Sequence, residues 1–240
     1  MENRSYKIYS IIITAIFILT LSAFVVLFCR ENYPERIAIR MGLLEGNERK
    51  INYAVMGWNN TLEKLDYDSD IVFFGDSIIA NSDFREYFPN KEIVTLGYPG
   101  DTLLGMEDRV EGVIALLPEQ IFVMGGVNGL KSYTIQVGLD RYDTLLSMIK
   151  DGLPSVDIYV LSVLPVSAEK EKDVCDNEVI DKFNKDLKIL AEKYNCTYVD
   201  LNSLYKDENG KMKEDFTIDG VHLRLESYDI WADEIRQYIK

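Results

Sequence analysis

Apolar positions along this chain follow two spacings that alternate from Asp70 onward. Short continuous runs read as five strands: Ile71-Val72-Phe73-Phe74, Ile93-Val94-Thr95-Leu96, Gln120-Ile121-Phe122-Val123-Met124, Ile158-Tyr159-Val160-Leu161-Ser162-Val163 and Thr197-Tyr198-Val199-Asp200-Leu201. Between them, apolar residues recur at helical spacing. Val179, Ile180, Phe183, Leu187, Leu190 and Tyr194 share one face, as do Ile135, Tyr142, Leu145 and Ile149, and near the C-terminus Tyr228, Trp231, Ile235 and Tyr238. Strands that are apolar continuously rather than alternately are covered on both faces. The pattern therefore predicts an α/β fold, a three-layer α/β/α sandwich around a five-stranded parallel sheet.

The N-terminal part departs from this pattern. Ile8 to Cys29 contains no charged residue and is rich in Ile, Leu, Val and Phe; as a helix it would reach roughly 30 Å, the thickness of one bilayer core. The run is longer than the apolar core of a cleaved signal, and no Ala-x-Ala-like site follows it, so it predicts one transmembrane helix that anchors the chain. Arg4 and Lys7 before the span and Arg30, Arg36 and Arg40 after it leave the charge rule for orientation undecided. A short tail, one span and a large following domain suggest a domain outside the cytoplasm. The chain thus divides into an anchor over residues 1–30, a stalk over 31–68 with a short helix around Glu48 to Leu65, and one domain over 69–240.

Composition narrows the partners. Hydrophobic residues are 47% and charged residues 28% of the chain, proportions of a globular protein. A net charge of -14 argues against nucleic acid, which needs a basic surface. No Cys or His cluster has metal-ligand spacing, so neither a metal site nor any other cofactor is expected. Cys175 and Cys196 could pair only if the fold brings them together.

In a parallel α/β sheet, ligands bind beyond the carboxyl ends of the strands. The first three predicted strands run into Gly75-Asp76-Ser77, Gly97-Tyr98-Pro99-Gly100-Asp101 and Gly125-Gly126-Val127-Asn128, all small, polar and rich in glycine. His222, the only histidine in the chain, lies in Asp219-Gly220-Val221-His222-Leu223. Ser77 is a candidate nucleophile, His222 its base and Asp219 the group that orients the base. The N–H groups of Ser77 and Gly100 and the side-chain amide of Asn128 are candidate donors to an oxyanion. Each piece also has an ordinary structural role: a serine in such a turn can be a helix cap, the glycines can serve turns, and Asn128 can cap a helix. Their joint occurrence, in order, at successive strand ends is what favours chemistry. The polar segment Val166 to Asn177 either lines the site or is a solvated loop.

Over roughly residues 69–240 the chain resembles the SGNH hydrolases, also called the GDSL esterase/lipase family. Ile71-Val72-Phe73-Phe74-Gly75-Asp76-Ser77-Ile78 is similar to the family's first block, and Leu96-Gly97-Tyr98-Pro99-Gly100-Asp101-Thr102 to the second. Gly126-Val127-Asn128-Gly129 resembles the third, and Asp219-Gly220-Val221-His222-Leu223 the last. The resemblance implies a flavodoxin-like sheet, Ser77 as nucleophile, Asp219 and His222 as its partners, and Ser77, Gly100 and Asn128 as the oxyanion hole. It also implies hydrolysis of a small-molecule, carbohydrate or lipid ester through an acyl-enzyme. Acyl transfer to a sugar hydroxyl and a non-catalytic carbohydrate-binding module with a relict triad are the alternatives. Gly129 departs from the family's usual Asp, and Thr95 from a frequent Asn; altered hydrogen bonding in the loops is expected from both.

Overall fold

A computed structural model describes residues 69–240. The predicted anchor and stalk, residues 1–68, lie outside the described residues, within which no helix is long and apolar enough to cross a membrane.

The strands are β1 (Ile71–Gly75), β2 (Ile93–Gly97), β3 (Gln120–Met124), β4 (Asp157–Leu161) and β5 (Thr197–Val199). They pair in parallel in the order β2-β1-β3-β4-β5, the flavodoxin-like arrangement. Six α-helices are labelled: α1 (Ser77–Ala80), α2 (Leu103–Ile114), α3 (Val127–Leu130), α4 (Ile135–Gly152), α5 (Asn177–Lys193) and α6 (Tyr228–Ile235).

Because side chains alternate across a strand, each strand feeds two cores. On one face Val72, Phe74, Ile121, Val123 and Val160 pack with the apolar stripes of α2, α4 and α5. On the other, Ile71, Phe73, Phe122, Tyr159 and Val199 pack with Ile78, Phe84, Tyr228 and Trp231. This second face carries an aromatic ladder. Phe73 is in register with Phe122 and Phe122 with Tyr159, and their rings stack at centroid separations of 4.9 and 4.5 Å, with Phe84 closing the row 3.8 Å from Phe73.

Two strands end earlier than their apolar runs suggest, β4 at Leu161 rather than Val163 and β5 at Val199 rather than Leu201. Asparagine side chains replace the ladder at the end of β4. Asn184 Oδ1 accepts from Val163 N, while Asn184 Nδ2 and Asn202 Nδ2 both donate to Val163 O, each bond being 2.8 or 2.9 Å. With its backbone satisfied by side chains, Val163 is free to turn away from β5.

Candidate active site

The site forms where β1 and β3 lead into helices on opposite sides of the strand order, the switch point at which such sheets bind ligands. Asp76 caps α1, its Oδ1 accepting from Ile78 N at 2.9 Å, and so places Ser77 in the first turn. Ser77 is 7% exposed, with only one edge open to solvent. The second core holds this turn from below, where Tyr228 of α6 donates its hydroxyl to Ile78 O at 2.6 Å.

His222 arrives on a loop closed by an antiparallel bridge between Thr217 and Leu223. Inside it, Thr217 Oγ1 donates to His222 O at 2.7 Å and accepts from Gly220 N at 2.8 Å. Asp219 Oδ1 accepts the backbone N–H groups of Val221 and His222 at 3.0 and 2.8 Å, which leaves Oδ2 to meet His222 Nδ1 at 2.8 Å. His222 Nε2 lies 3.0 Å from Ser77 Oγ. Partial burial pushes the Asp219 carboxyl up, but the His222 backbone N–H, its ring and the Val221 N–H outweigh it and hold the group at about 2. Asp219 is therefore a carboxylate throughout the neutral range.

Gly100 sits in a turn. Pro99 and Gly100 are its central residues, Asp101 N donates to Tyr98 O at 3.1 Å, and Gly100 takes φ +76°, as the third position of a type II turn requires. The N–H groups of Ser77 and Gly100 meet no acceptor among the described residues. Asn128, on α3, donates one Nδ2 hydrogen to Asp101 O at 2.8 Å and keeps the other. The structure thus brings Ser77, His222 and Asp219 into one hydrogen-bonded row and joins the Gly100 turn to Asn128 through Asp101.

The departure at Gly129 has a packing reason. A Cβ there would lie 1.9 Å from the Tyr133 ring, which covers the start of α3 and points its hydroxyl at Gly126 O, 3.4 Å away. The Asn128 turn is held by an aromatic lid instead of an acidic side chain.

Some contributors escaped the sequence reading. Arg109 and Asp101 form a buried ion pair behind the Gly100 turn, 3% and 1% exposed. Burial pushes the Asp101 carboxyl up against the pull of Arg109, yet two guanidinium N–H groups on one carboxylate oxygen are the geometry of a charged pair. A signal existed: Arg109 follows Met106 by three positions and precedes Val113 by four, so helical spacing places it on the buried stripe of α2. Val166 to Asn177 proves to buttress the histidine loop, with Ser167 N donating to Gly220 O at 2.8 Å. Cys175 and Cys196 are buried free thiols, each pushed up to about 11 mainly by burial. No group of His, Cys, Asp and Glu among the described residues could hold a metal ion.

A small cavity lies under the Ser77 turn, lined by Asp76, Ile78, Val127 and Val221, with Val163 to Val166 forming its far wall and the side chains of Ser77, Asn128 and His222 outside its lining. Its volume of about 10 Å³ is room for one water-sized group.

Burial raises the Asp76 carboxyl from 3.8 to about 7, with the Ile78 N–H opposing the shift and the Asp101 charge adding to it. Between those two values the folded chain keeps a proton that the unfolded chain has lost, so this group makes stability fall as pH rises. Asp76→Asn preserves an acceptor for Ile78 N–H and removes the titration. Its stability relative to wild type should climb from pH 4 to pH 8 by up to roughly 4 kcal/mol. Urea midpoints at the two pH values check this, and a difference that does not change with pH would refute it.

The family model for the GDSL-like Lipase/Acylhydrolase family matches residues 73–230. The chain belongs to this family, and it is an ester hydrolase. Solved structures share its fold. A GDSL-like lipase from Bacteroides thetaiotaomicron superposes with a TM-score of 0.68 at 21% identity, covering 77% of this chain and 96% of that one. An acetyl xylan esterase from Geobacillus stearothermophilus gives a TM-score of 0.57 at 21% identity over 72% and 95% of the two chains. The N-acylneuraminate cytidylyltransferase of Escherichia coli O18:K1:H7 is 24% identical over 190 residues, which are 76% of this chain and 43% of that protein. This chain therefore spans less than half the length of that relative.

Proposed function

We propose that this family member is a serine esterase that removes short acyl groups, acetyl foremost, through an acyl-enzyme on Ser77. The observation that carries the reading is the unbroken row from Asp219 Oδ2 through His222 to Ser77 Oγ, at 2.8 and 3.0 Å. As Ser77 Oγ attacks the ester carbonyl, His222 Nε2 takes its proton and Asp219 stabilises the imidazolium. The N–H groups of Ser77 and Gly100 and the free Nδ2 hydrogen of Asn128 receive the negative charge on the carbonyl oxygen. His222 then passes the proton to the departing alcohol, and water, activated by the same imidazole, releases the acid.

The acetyl preference is supported by the acetyl xylan esterases among the solved structures that share this fold. This favours O-acetylated carbohydrate over lysophospholipid as the natural ester. In the same proposal the run Ile8 to Cys29 anchors the enzyme in a membrane with its domain outside the cytoplasm; protease protection of the domain in intact cells would refute that placement.

Purified full-length chain should hydrolyse p-nitrophenyl acetate in a Ser77-dependent manner, with kcat/KM at least about tenfold above that for the octanoate ester. Equal rates for wild type and Ser77→Ala would sink the esterase reading, and preference for octanoate would sink the acetyl preference.

A further inference from the structure

Arg109 is the most heavily engaged buried cation among the described residues, and the catalytic steps above do not use it. Its Nε and Nη2 donate to Asp101 Oδ2 at 2.8 and 2.5 Å, Nη1 to Leu96 O at 3.1 Å and Nη2 to Gly75 O at 3.0 Å, while its Cζ lies 4.8 Å from the centre of the Phe74 ring. The two carbonyls belong to the ends of β2 and β1, the points where the chain leaves the sheet towards Gly100 and Ser77. Gly75 O also accepts from Tyr98 N at 3.0 Å, the first residue of the Gly100 turn. Asp101, the last residue of that turn, is fixed by Arg109 through its side chain and receives Asn128 Nδ2 on its main-chain oxygen.

We infer that Arg109 is a positioning residue: through Asp101 it holds the Gly100 N–H and the Asn128 amide at a set spacing from Ser77, so that the oxyanion hole exists before substrate arrives. The inference rests on the esterase reading of the site. Its physical basis is preorganisation. Donors aimed in advance need no rearrangement as charge develops, and a planar guanidinium makes the four directed hydrogen bonds seen here from a fixed fork, one more than the three rotatable donors of an ammonium allow. Asn128 is exposed and its amide has Asp101 O as its hydrogen-bond partner, and Asp101 also closes the turn that carries Gly100, so Asp101 links the two donors.

Arg109→Lys keeps the charge and loses the fork. It should lower kcat for p-nitrophenyl acetate by about 10- to 100-fold with KM within about threefold of wild type, because the lost interaction belongs to the transition state. Asp101→Asn, which nearly preserves shape, should act in the same direction and covers the case in which Arg109→Lys folds poorly. Combining Arg109→Lys with Asn128→Ala should cost less than the product of the two single losses, since the amide being positioned is then absent. Hydrogen exchange of the Asp101 amide, which closes the turn, should quicken at least about tenfold in Arg109→Lys while amides of β1 and β3 keep their protection. Unchanged kcat, fully multiplicative losses, or an unaltered Asp101 amide would each overturn the assignment. Equal rates for wild type and Ser77→Ala would instead condemn the esterase reading, and the exchange measurement would still decide whether Arg109 holds the turn.

Discussion

His222→Ala should lower kcat for ester cleavage by about 10⁴-fold or more, leaving only what binding and the oxyanion donors provide. In the proposed mechanism His222 Nε2, 3.0 Å from Ser77 Oγ, is the base, and the chain holds no second imidazole to replace it. Folding should survive the change. The ring is one-third exposed, its polar contacts are to Asp219 and Ser77, and the loop is closed by the main chain of residues 217 to 223 together with Thr217 Oγ1. That exposure also offers a control. Imidazole added to the solution can enter the space left by the ring, so its addition should restore part of the rate to His222→Ala and none to Ser77→Ala. Stopped-flow release of p-nitrophenol in both variants measures this; a His222→Ala enzyme within tenfold of wild type would show that another group serves as base.

Asn128→Ala should lower kcat by about 10² to 10³ with little change in KM, the usual consequence of removing one oxyanion donor. Its side chain makes one hydrogen bond among the described residues, to Asp101 O, so the structural penalty is about 1 kcal/mol and a urea titration should detect only that. The separation of the two effects is the informative part. A loss of stability comparable with the loss of rate would assign Asn128 to the fold. A change confined to kcat would assign it to the charge that forms on the substrate. The third-block departure bears on this result, because Tyr133 packed over Gly129 keeps Asn128 from drifting.

The sheet was legible because its strands are buried on both faces, and continuous apolar runs bounded by glycine mark such strands without help from the rest of the chain. The candidate residues of the site stand out for a related reason: Ser77, Gly100 and Asn128 lie within four residues of the ends of β1, β2 and β3, and Asp219 lies beside the sole histidine. What stayed hidden depends on partners distant in sequence. The early end of β4 comes with Asn184 and Asn202, polar residues that look solvated in a local window and in fact take over the hydrogen bonds of Val163. Helical spacing puts Arg109 on the buried stripe of α2, but nothing local names its partners, Asp101 and the strand-end carbonyls. The buttress between Ser167 and Gly220 joins segments more than fifty positions apart, and no pattern within either announces the other.

A chain with one imidazole has a spectroscopic property that most enzymes of its size lack. Selective nitrogen labelling of histidine would yield the two ring signals of a single residue, needing no assignment. Because Nδ1 faces Asp219 and Nε2 faces Ser77, those signals would report separately on the orienting and the reacting side of the ring. The proton's location could then be followed in resting enzyme, in acyl-enzyme and in each variant above, within one small set of spectra.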